Sequence, residues 1–366
     1  MLIDSKSKKI YFVTNTSLNN FKKVKPKLDI AVIGSGLAGL SLARELSPKH
    51  RVTIYEKDRS VGGRLASRKY IINNQEEHFD FGAQFFYAKK PRFKALLEEA
   101  MKRDALTRWD GTFAEIQGNK VLRTQAWDAN YPHYVGNPTM NSFAQFLANG
   151  LDIKLNSQVS SIKQNNDQKW QLLDENGNIF AEHEWLVIAC PAQQVVQLSP
   201  LNISFRQEID QERKMLGCYT MMLAFEQELD LPFQCALVRD ANISWVSQEH
   251  SKPNRGNLKK LVIHATNKWS EENMQQEIPK VLEYMIGHSS DILGVDLKSH
   301  IFADVNRCYY ANISRSTKSN FYMDRENKVA AIGDWCVQGR AEAAFTSAIN
   351  CADALEGNNP TLRAAS

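Results

Sequence analysis

At 366 residues the chain is longer than one hydrophobic core usually supports, and a prior of about 150 residues per domain predicts roughly two packed units. Apolar residues make up 43% of it and charged residues 23%, which excludes a disordered, collagen-like or coiled-coil chain. The formal charge of +4 is concentrated at the start, where Lys6, Lys8, Lys9, Lys22, Lys23, Lys25 and Lys27 outnumber Asp4 and leave the body nearly neutral; residues 1–28 read as a solvated basic extension, not as a nucleic-acid or membrane arm.

The first strong element is Asp29-Ile-Ala-Val-Ile-Gly34, a short β-branched run that predicts a buried parallel strand. A glycine turn leads into a helix over Leu40–Leu46, stopped near Ser47-Pro48, and Arg51–Glu56 supplies the next strand of a βαβ unit. Residues 91–108 read as a charged amphipathic helix, Phe113–Arg123 as alternating exposed sheet, and Asn141–Ala148 as a helix. Strands are expected around Ile153–Ile162 and Trp170–Leu173, then a turn at Asp174–Gly177 and a buried strand over Trp185–Cys190. The 200–300 stretch is mixed, with strands at Met221–Phe225 and Lys260–Ala265 and a helix over Glu271–Ile286. Near the end Lys328–Asp334 repeats the opening strand-then-glycine shape, and Ala341–Leu355 is helical. That return predicts that both ends of the chain share one sheet, with a second domain inserted between them.

Gly34-Ser-Gly36-Leu37-Ala38-Gly39 follows a strand, opens a helix and precedes an acid at a strand end, the full context of a dinucleotide site. Gly34 permits the tight turn, Gly36 lets a pyrophosphate approach the backbone, and Gly39 allows helix and sheet to pack closely. The carboxylate of Glu56 suits the adenosine ribose hydroxyls. The Lys57–Arg64 loop, with Gly62, Gly63 and Arg64, could pass near the diphosphate and neutralise it. At the other end, Asp334 after Gly333 suits a ribityl hydroxyl, and the helix beginning near Arg340 to Ala343 aims its positive end at a flavin ring. Cys190, Cys218, Cys235, Cys308, Cys336 and Cys351 form no CxxC pair and no zinc spacing, so they read as reduced core thiols and no metal is expected. No Gly-x-Ser-x-Gly elbow supports hydrolysis. Without an apolar leader or a run of about 18 apolar residues, the cytoplasm is the expected location, with neither nucleic acid nor membrane as partner.

With Val61-Gly-Gly-Arg-Leu-Ala-Ser67, Asp80-Phe-Gly-Ala-Gln84 and Gly333-Asp-Trp-Cys336, these motifs resemble the two-dinucleotide-binding flavoproteins that include the flavin-containing amine oxidases. Leu231-Pro-Phe233, Ser251-Lys-Pro253, Leu261-Val-Ile-His264, Trp269-Ser270 and Gly333–Arg340 narrow the likeness to bacterial renalase-like proteins, over nearly all of 29–356. The resemblance implies an α/β fold: a Rossmann-like FAD-binding domain (29–90, 150–200 and 300–356) with an inserted α+β substrate domain (91–149 and 201–299), and a tail over 357–366. It implies non-covalent FAD, with Val159 presenting backbone to adenine and Ala83 and Gln84 beside the isoalloxazine. Phe85 and His264 would be pocket wall. Where relatives carry Trp before a basic residue and Tyr, this chain has Cys308-Tyr309-Tyr310, so Tyr309 or Tyr310 would have to supply the missing ring. The implied reaction oxidises isomeric dihydronicotinamide nucleotides, small-molecule substrates, to NAD(P)+ and passes electrons to O2 as hydrogen peroxide. It needs no side-chain base, because hydride loss makes the ring aromatic. The rival readings are a general flavin amine oxidase or desaturase and, from another class, a non-catalytic FAD-binding sensor; a plain NAD dehydrogenase would leave Gly333-Asp334 without a task.

Overall fold

The computed structural model describes residues 27–212, 214–314, 319–337 and 339–357. All but the last two residues of the expected basic extension, and the expected tail beyond Gly357, lie outside the described residues.

The strand Asp29–Ile33 occupies the middle of a six-stranded sheet ordered Tyr322–Asp324, Val329–Ala331, Trp185–Ile188, Asp29–Ile33, Arg51–Tyr55, Asp152–Lys154. All neighbours are parallel except the edge pair Tyr322–Asp324 and Val329–Ala331. Val32 stands between Val187 and Ile54 in register. A strand covered on both faces needs apolar residues at successive positions, which is why these runs are continuous and not alternating. The helices Leu37–Leu46, Pro91–Lys102, Met140–Ala148 and Ala341–Leu355 share a core with one face, where Leu40, Phe93, Phe143 and Phe345 join Ile30 and Val32. On the other face Ile33 meets Trp170 and Leu172 of a three-stranded antiparallel sheet, Ser161–Gln164, Trp170–Leu173 and Ile179–His183.

A seven-stranded sheet forms the second body, ordered Phe302–Ile313, Met215–Phe225, Lys259–Ala265, Ile243–Gln248, Cys235–Arg239, Gly111–Gln117, Lys120–Trp127. Side chains alternate between its faces with period two. Tyr219, Met221 and Leu223 bury against Val281 and Met285 of the helix Ile278–Leu293. Met222 and Ala224 turn the other way, onto Ile72 and Phe79 of the hairpin Arg68–Ile72/Gln75–Phe79. Cys218 and Thr220 therefore share the face that looks toward the first body.

Several expectations are corrected. The strand Phe302–Ile313 pairs with Met215–Phe225 in the second sheet, so the boundary expected at 300 falls too early. Both helices expected in the substrate domain between 91 and 149 pack in the core of the first sheet, because their apolar stripes face Leu40 and Phe345. Ile203, Phe205 and Ile209 likewise join the first body. The helix expected over Glu271–Ile286 is two, Asn267–Glu272 and Ile278–Leu293, with Pro279 seated in the first turn of the second, where a missing N–H costs nothing. Helix 91–108 stops at Lys102, and Leu106–Arg108 becomes a strand. The exposed run around Phe113 folds back at Gly118 (φ +59°) as a hairpin. The strand expected around Ile153–Ile162 is two short strands, Asp152–Lys154 and Ser161–Gln164, separated by Asn156 at φ +50°.

Candidate active site

The glycine turn is built as its spacing predicts. Gly34 has φ +103°, and a Cβ on Gly39 would lie 2.1 Å from the Gly34 carbonyl oxygen, so only glycine lets this helix sit on its strand. Gly36 differs: a Cβ there would meet no atom within 4 Å. It heads the helix Leu37–Leu46, whose first turn has no side-chain cap, so free N–H groups and the positive end of the helix dipole face open space. Gly36 also bridges in parallel to Gly62, whose N–H donates to Ser35 O at 3.0 Å, and Gly62 and Gly63 both have positive φ (+126° and +53°). The expected second glycine pair thus lies against the first.

Glu56 is buried, and Ser35 fixes its carboxylate: Oε2 accepts from Ser35 N (2.8 Å) and Oγ (2.6 Å), and Oε1 from Asp58 N (3.0 Å). Each carboxylate oxygen accepts about two bonds, so Oε1 retains capacity for a ribose hydroxyl. Ser157 N–H donates to Glu56 O at 2.8 Å, which brings the loop carrying Val159 to the same edge. Leu37, Ala38 and Ala343 bury their side chains and offer only backbone, whereas Lys57 is exposed.

The two chain ends meet at Arg64. Its guanidinium donates to Asp334 through Nη1 (2.8 Å) and Nη2 (2.5 Å), and Nη1 also donates to Ala311 O at 3.0 Å. The residues expected to neutralise the diphosphate and to bind the ribityl chain are thus bonded to each other as one bidentate pair. Arg340 heads the helix Ala341–Leu355 and lies over the Tyr87 ring, 5.5 Å from its centroid.

Gln84 is held by a charge cluster that the sequence reading did not assemble. Asp80, Glu249, Lys252 and Arg255 are 0%, 0%, 1% and 4% exposed. Arg255 Nη2 donates to Asp80 Oδ2 (2.7 Å) and Gly136 O (2.9 Å), its Nε to Glu249 Oε1 (3.3 Å), and Lys252 Nζ to Glu249 Oε2 (2.6 Å). Ser67 Oγ and Met140 N complete the Asp80 shell at 2.5 and 2.9 Å. Two cations balance two carboxylates, as burial at this depth requires. Burial pushes the Glu249 carboxyl up; burial acts on Asp80 in the same direction but is outweighed by Lys252 and Arg255, which hold it below the usual range. Lys252 Nζ (3.3 Å) and Ser247 Oγ (2.9 Å) donate to Gln84 Oε1, while Gln84 Nε2 donates to the carbonyls of Asp80 and Gly82. The amide orientation is thereby fixed from both sides. Next to it, Ala83 N–H donates to Arg64 O at 2.9 Å, so the segment expected beside the flavin ring is tied to the Arg64–Asp334 pair.

Opposite lies the inner face of the seven-stranded sheet. Register places Asn306, Thr220, His264 and Trp245 in one row across four strands, with the pair Cys308 and Cys218 two residues along. The same alternation puts Tyr310 on the Cys308 face, packed on the core of the first body, and turns the half-exposed Tyr309 away; of the two rings proposed to replace the missing aromatic, Tyr310 has the right orientation. Phe85 anchors an aromatic wall, with ring centroids 4.9 Å from Trp127, 5.1 Å from His133 and 5.4 Å from Trp245, and Phe113 stacks on Trp127. Trp127, His133, Trp245, Thr220 and Asn306 were missed from sequence. Their proximity arises from sheet register across distant strands, and only Asp80-Phe-Gly-Ala-Gln84 and Ser251-Lys-Pro253 hinted at the Lys252 cluster.

Among the described residues all six cysteines are free, no group of three or more His, Cys, Asp or Glu side chains is placed to hold a metal, and no helix is long and apolar enough to cross a membrane.

Residues 32–100 match the NAD(P)-binding Rossmann-like domain, and residues 128–355, well over half of the chain, match the family described as flavin containing amine oxidoreductase. The chain is 40% identical over 63 residues to the zeta-carotene desaturase of Zea mays, a match spanning 17% of this chain and 10% of the desaturase. It is 39% identical over 77 residues to a 4,4'-diapophytoene desaturase of Staphylococcus haemolyticus, covering 21% of this chain and 14% of that one. Among solved structures, a protein of Exiguobacterium sp. 255-15 described as a protoporphyrinogen oxidase superposes with a TM-score of 0.71 at 12% identity, over 90% of this chain and 99% of that one. Wild-type putrescine oxidase bound to putrescine superposes with a TM-score of 0.64 at 10% identity, over 91% and 99%. The structural likenesses establish a shared fold, and the open glycine turn, the spare acceptor on Glu56 and the joined chain ends fit FAD. The chain belongs to the flavin containing amine oxidoreductase family and is an FAD-dependent oxidoreductase.

Proposed function

We propose that this enzyme is a renalase-type oxidase: it takes a hydride from isomeric dihydronicotinamide nucleotides, giving NAD(P)+, and passes the electrons to O2 as hydrogen peroxide. The observation that carries this reading is the neutral row facing Gln84, namely Asn306, Thr220, His264 and Trp245. FAD supplies the hydride acceptor, N5. The chain supplies orientation and a dry, flat enclosure. Burial, reinforced by the positive Lys252, pushes His264 down to about 4, so at working pH it is neutral, a weak base and no counter-charge. A dihydropyridine needs neither, since losing hydride makes it aromatic. An alkylammonium substrate must first lose a proton, and this row offers no carboxylate to receive it. Gly34, Gly36, Gly39, Glu56, Gly62, Gly63, Arg64, Val159, Gly333 and Asp334 are proposed to hold the cofactor, with Ala83 and Gln84 at its ring and Phe85, His264, Cys308 and Tyr310 around the substrate.

Anaerobic stopped-flow mixing tests the reading. Dihydronicotinamide isomers are expected to bleach the flavin, and readmitted O2 to restore it with one peroxide per turnover. The His264 charge lies below the window: lowering its proton affinity in the folded state keeps it neutral down to about pH 4, so the bleaching rate is expected to be flat from about pH 6 to 8. Bleaching by amines but not by dihydropyridines would return the amine oxidase reading, and a rate that falls with a midpoint near 6.5 would contradict the role given to His264.

A further inference from the structure

Cys218 and Cys308 stand directly opposite each other in the antiparallel pairing of Met215–Phe225 with Phe302–Ile313. Among the described residues it is the one strand pairing that sets two cysteines face to face. Opposed residues carry their side chains on the same face with Cα atoms about 4.5 or 5.5 Å apart, and a disulfide spans about 4.4 to 6.8 Å. A bond between them therefore fits the sheet as it stands. A bulge between Leu216 and Cys218 interrupts the ladder beside the pair, which leaves the two strands freedom to settle around that bond.

The two thiols differ in access. Cys308 is partly exposed, whereas Cys218 is 6% exposed, and burial, then a charge on Cys308, pushes the Cys218 thiol up to about 12. Cys308 thus meets a solute first. Cys218 Sγ donates to the Tyr219 and Ala265 carbonyls at 3.4 and 3.5 Å, weak bonds that one χ1 rotation exchanges for Cys308. Cys308 also has a cation for a neighbour: partial burial opposes the Arg64 charge, and Asp334 and then Cys308 outweigh it. Bonds to Asp334 and Ala311 occupy three N–H groups of Arg64, and its fork keeps spare donors for an anionic oxygen.

We infer that Cys218 and Cys308 are a peroxide-reducing dithiol, with Cys308 the attacking sulfur and Cys218 the resolving one. Cys308 sulfur takes the terminal oxygen of a hydroperoxide: the O–O bond breaks, an S–O bond forms, and the departing oxygen leaves with the thiol proton as water or an alcohol. Cys218 sulfur then displaces hydroxyl from that sulfenic acid: S–S forms, S–O breaks, and the Cys218 proton leaves with the hydroxyl as water. The thiols lose two electrons and the hydroperoxide gains them, and an external thiol returns the pair to its reduced form. This activity is separate from hydride oxidation and shares with it only the hydrogen peroxide which that reaction releases.

Hydrogen peroxide added to the reduced holoenzyme tests the inference, with thiols counted and peptides mapped by mass under non-reducing denaturation. A near-equimolar dose is expected to remove two of the six free thiols, to join the peptides carrying Cys218 and Cys308, and to be reversed by dithiothreitol. In Cys218→Ser, dimedone should trap a sulfenic acid on Cys308 at least about tenfold faster than on any buried cysteine. In Cys308→Ser, Cys218 should remain a thiol at the same dose. The wild-type map decides alone if either variant misfolds. Six intact thiols after peroxide, a bond joining other cysteines, or oxidation of Cys218 in Cys308→Ser would overturn the inference. If the Cys218–Cys308 bond forms while no dihydronicotinamide bleaches the flavin, the dithiol stands and the hydride reading falls.

Discussion

Replacing Arg255 by methionine is expected to destabilise the fold by about 3 to 5 kcal/mol, read as a lowered urea midpoint at unchanged slope. The guanidinium is 4% exposed and binds Asp80, Glu249 and the Gly136 carbonyl at once. Its removal leaves two buried carboxylates against Lys252 alone, and the remaining charge cannot reach water. Arg123→Met is the matched control. Arg123 pairs with Glu115 but is 63% exposed, so its loss should cost under about 1 kcal/mol. The cluster joins the segment carrying Gln84 to the loop between the strands Ile243–Gln248 and Lys259–Ala265, so the Arg255 variant should also loosen the wall of the pocket. A loss below about 1 kcal/mol for Arg255→Met would show that the cluster is hydrated or rearranges freely.

Gly36→Val is expected to leave a folded protein that has lost its flavin. The Gly36 backbone, at φ −71° and ψ 178°, is open to any residue, and its Cβ direction is empty, so the native fold has room for the side chain. That room is where a pyrophosphate must approach the first turn of the helix, and filling it should weaken FAD by about 3 kcal/mol, on the order of a hundredfold. Gly39→Ala should differ in stability. With a Cβ 2.1 Å from the Gly34 carbonyl oxygen it must push helix from strand, so stability falls along with flavin content. Flavin-to-protein absorbance ratios beside thermal midpoints distinguish the two; a Gly36→Val protein that keeps its flavin through dialysis would remove the phosphate role from this turn.

The first sheet was legible because its signals are local. Continuous apolar runs at Asp29–Ile33 and Trp185–Ile188, glycines placed by backbone need, and small residues in Ala341–Leu355 each point to one structure without knowledge of distant partners. The hairpin Arg68–Ile72/Gln75–Phe79 was missed although Asn73 and Asn74, with φ +50° and +61°, are residues that tolerate such a turn; its flanking strands are too polar to stand out. The division of the middle of the chain failed for a different reason. Amphipathic helices such as Pro91–Lys102 announce an apolar face but not which sheet will receive it. The pocket was the least legible part. His264 could be nominated, yet its row with Asn306, Thr220 and Trp245 depends on register among four strands, and the roles of Lys252 and Arg255 depend on a burial that no charged residue advertises.

The central claim is that both ends of the chain hold a single FAD, and a crystal structure of the holoprotein tests it most directly. The account predicts the diphosphate against Gly36 and Gly62, the adenosine ribose on Glu56, and the isoalloxazine between the Arg64–Asp334 pair and the row bearing His264. Flavin density anywhere else, or an intact protein whose glycine turn stays vacant at saturating FAD, would contradict it.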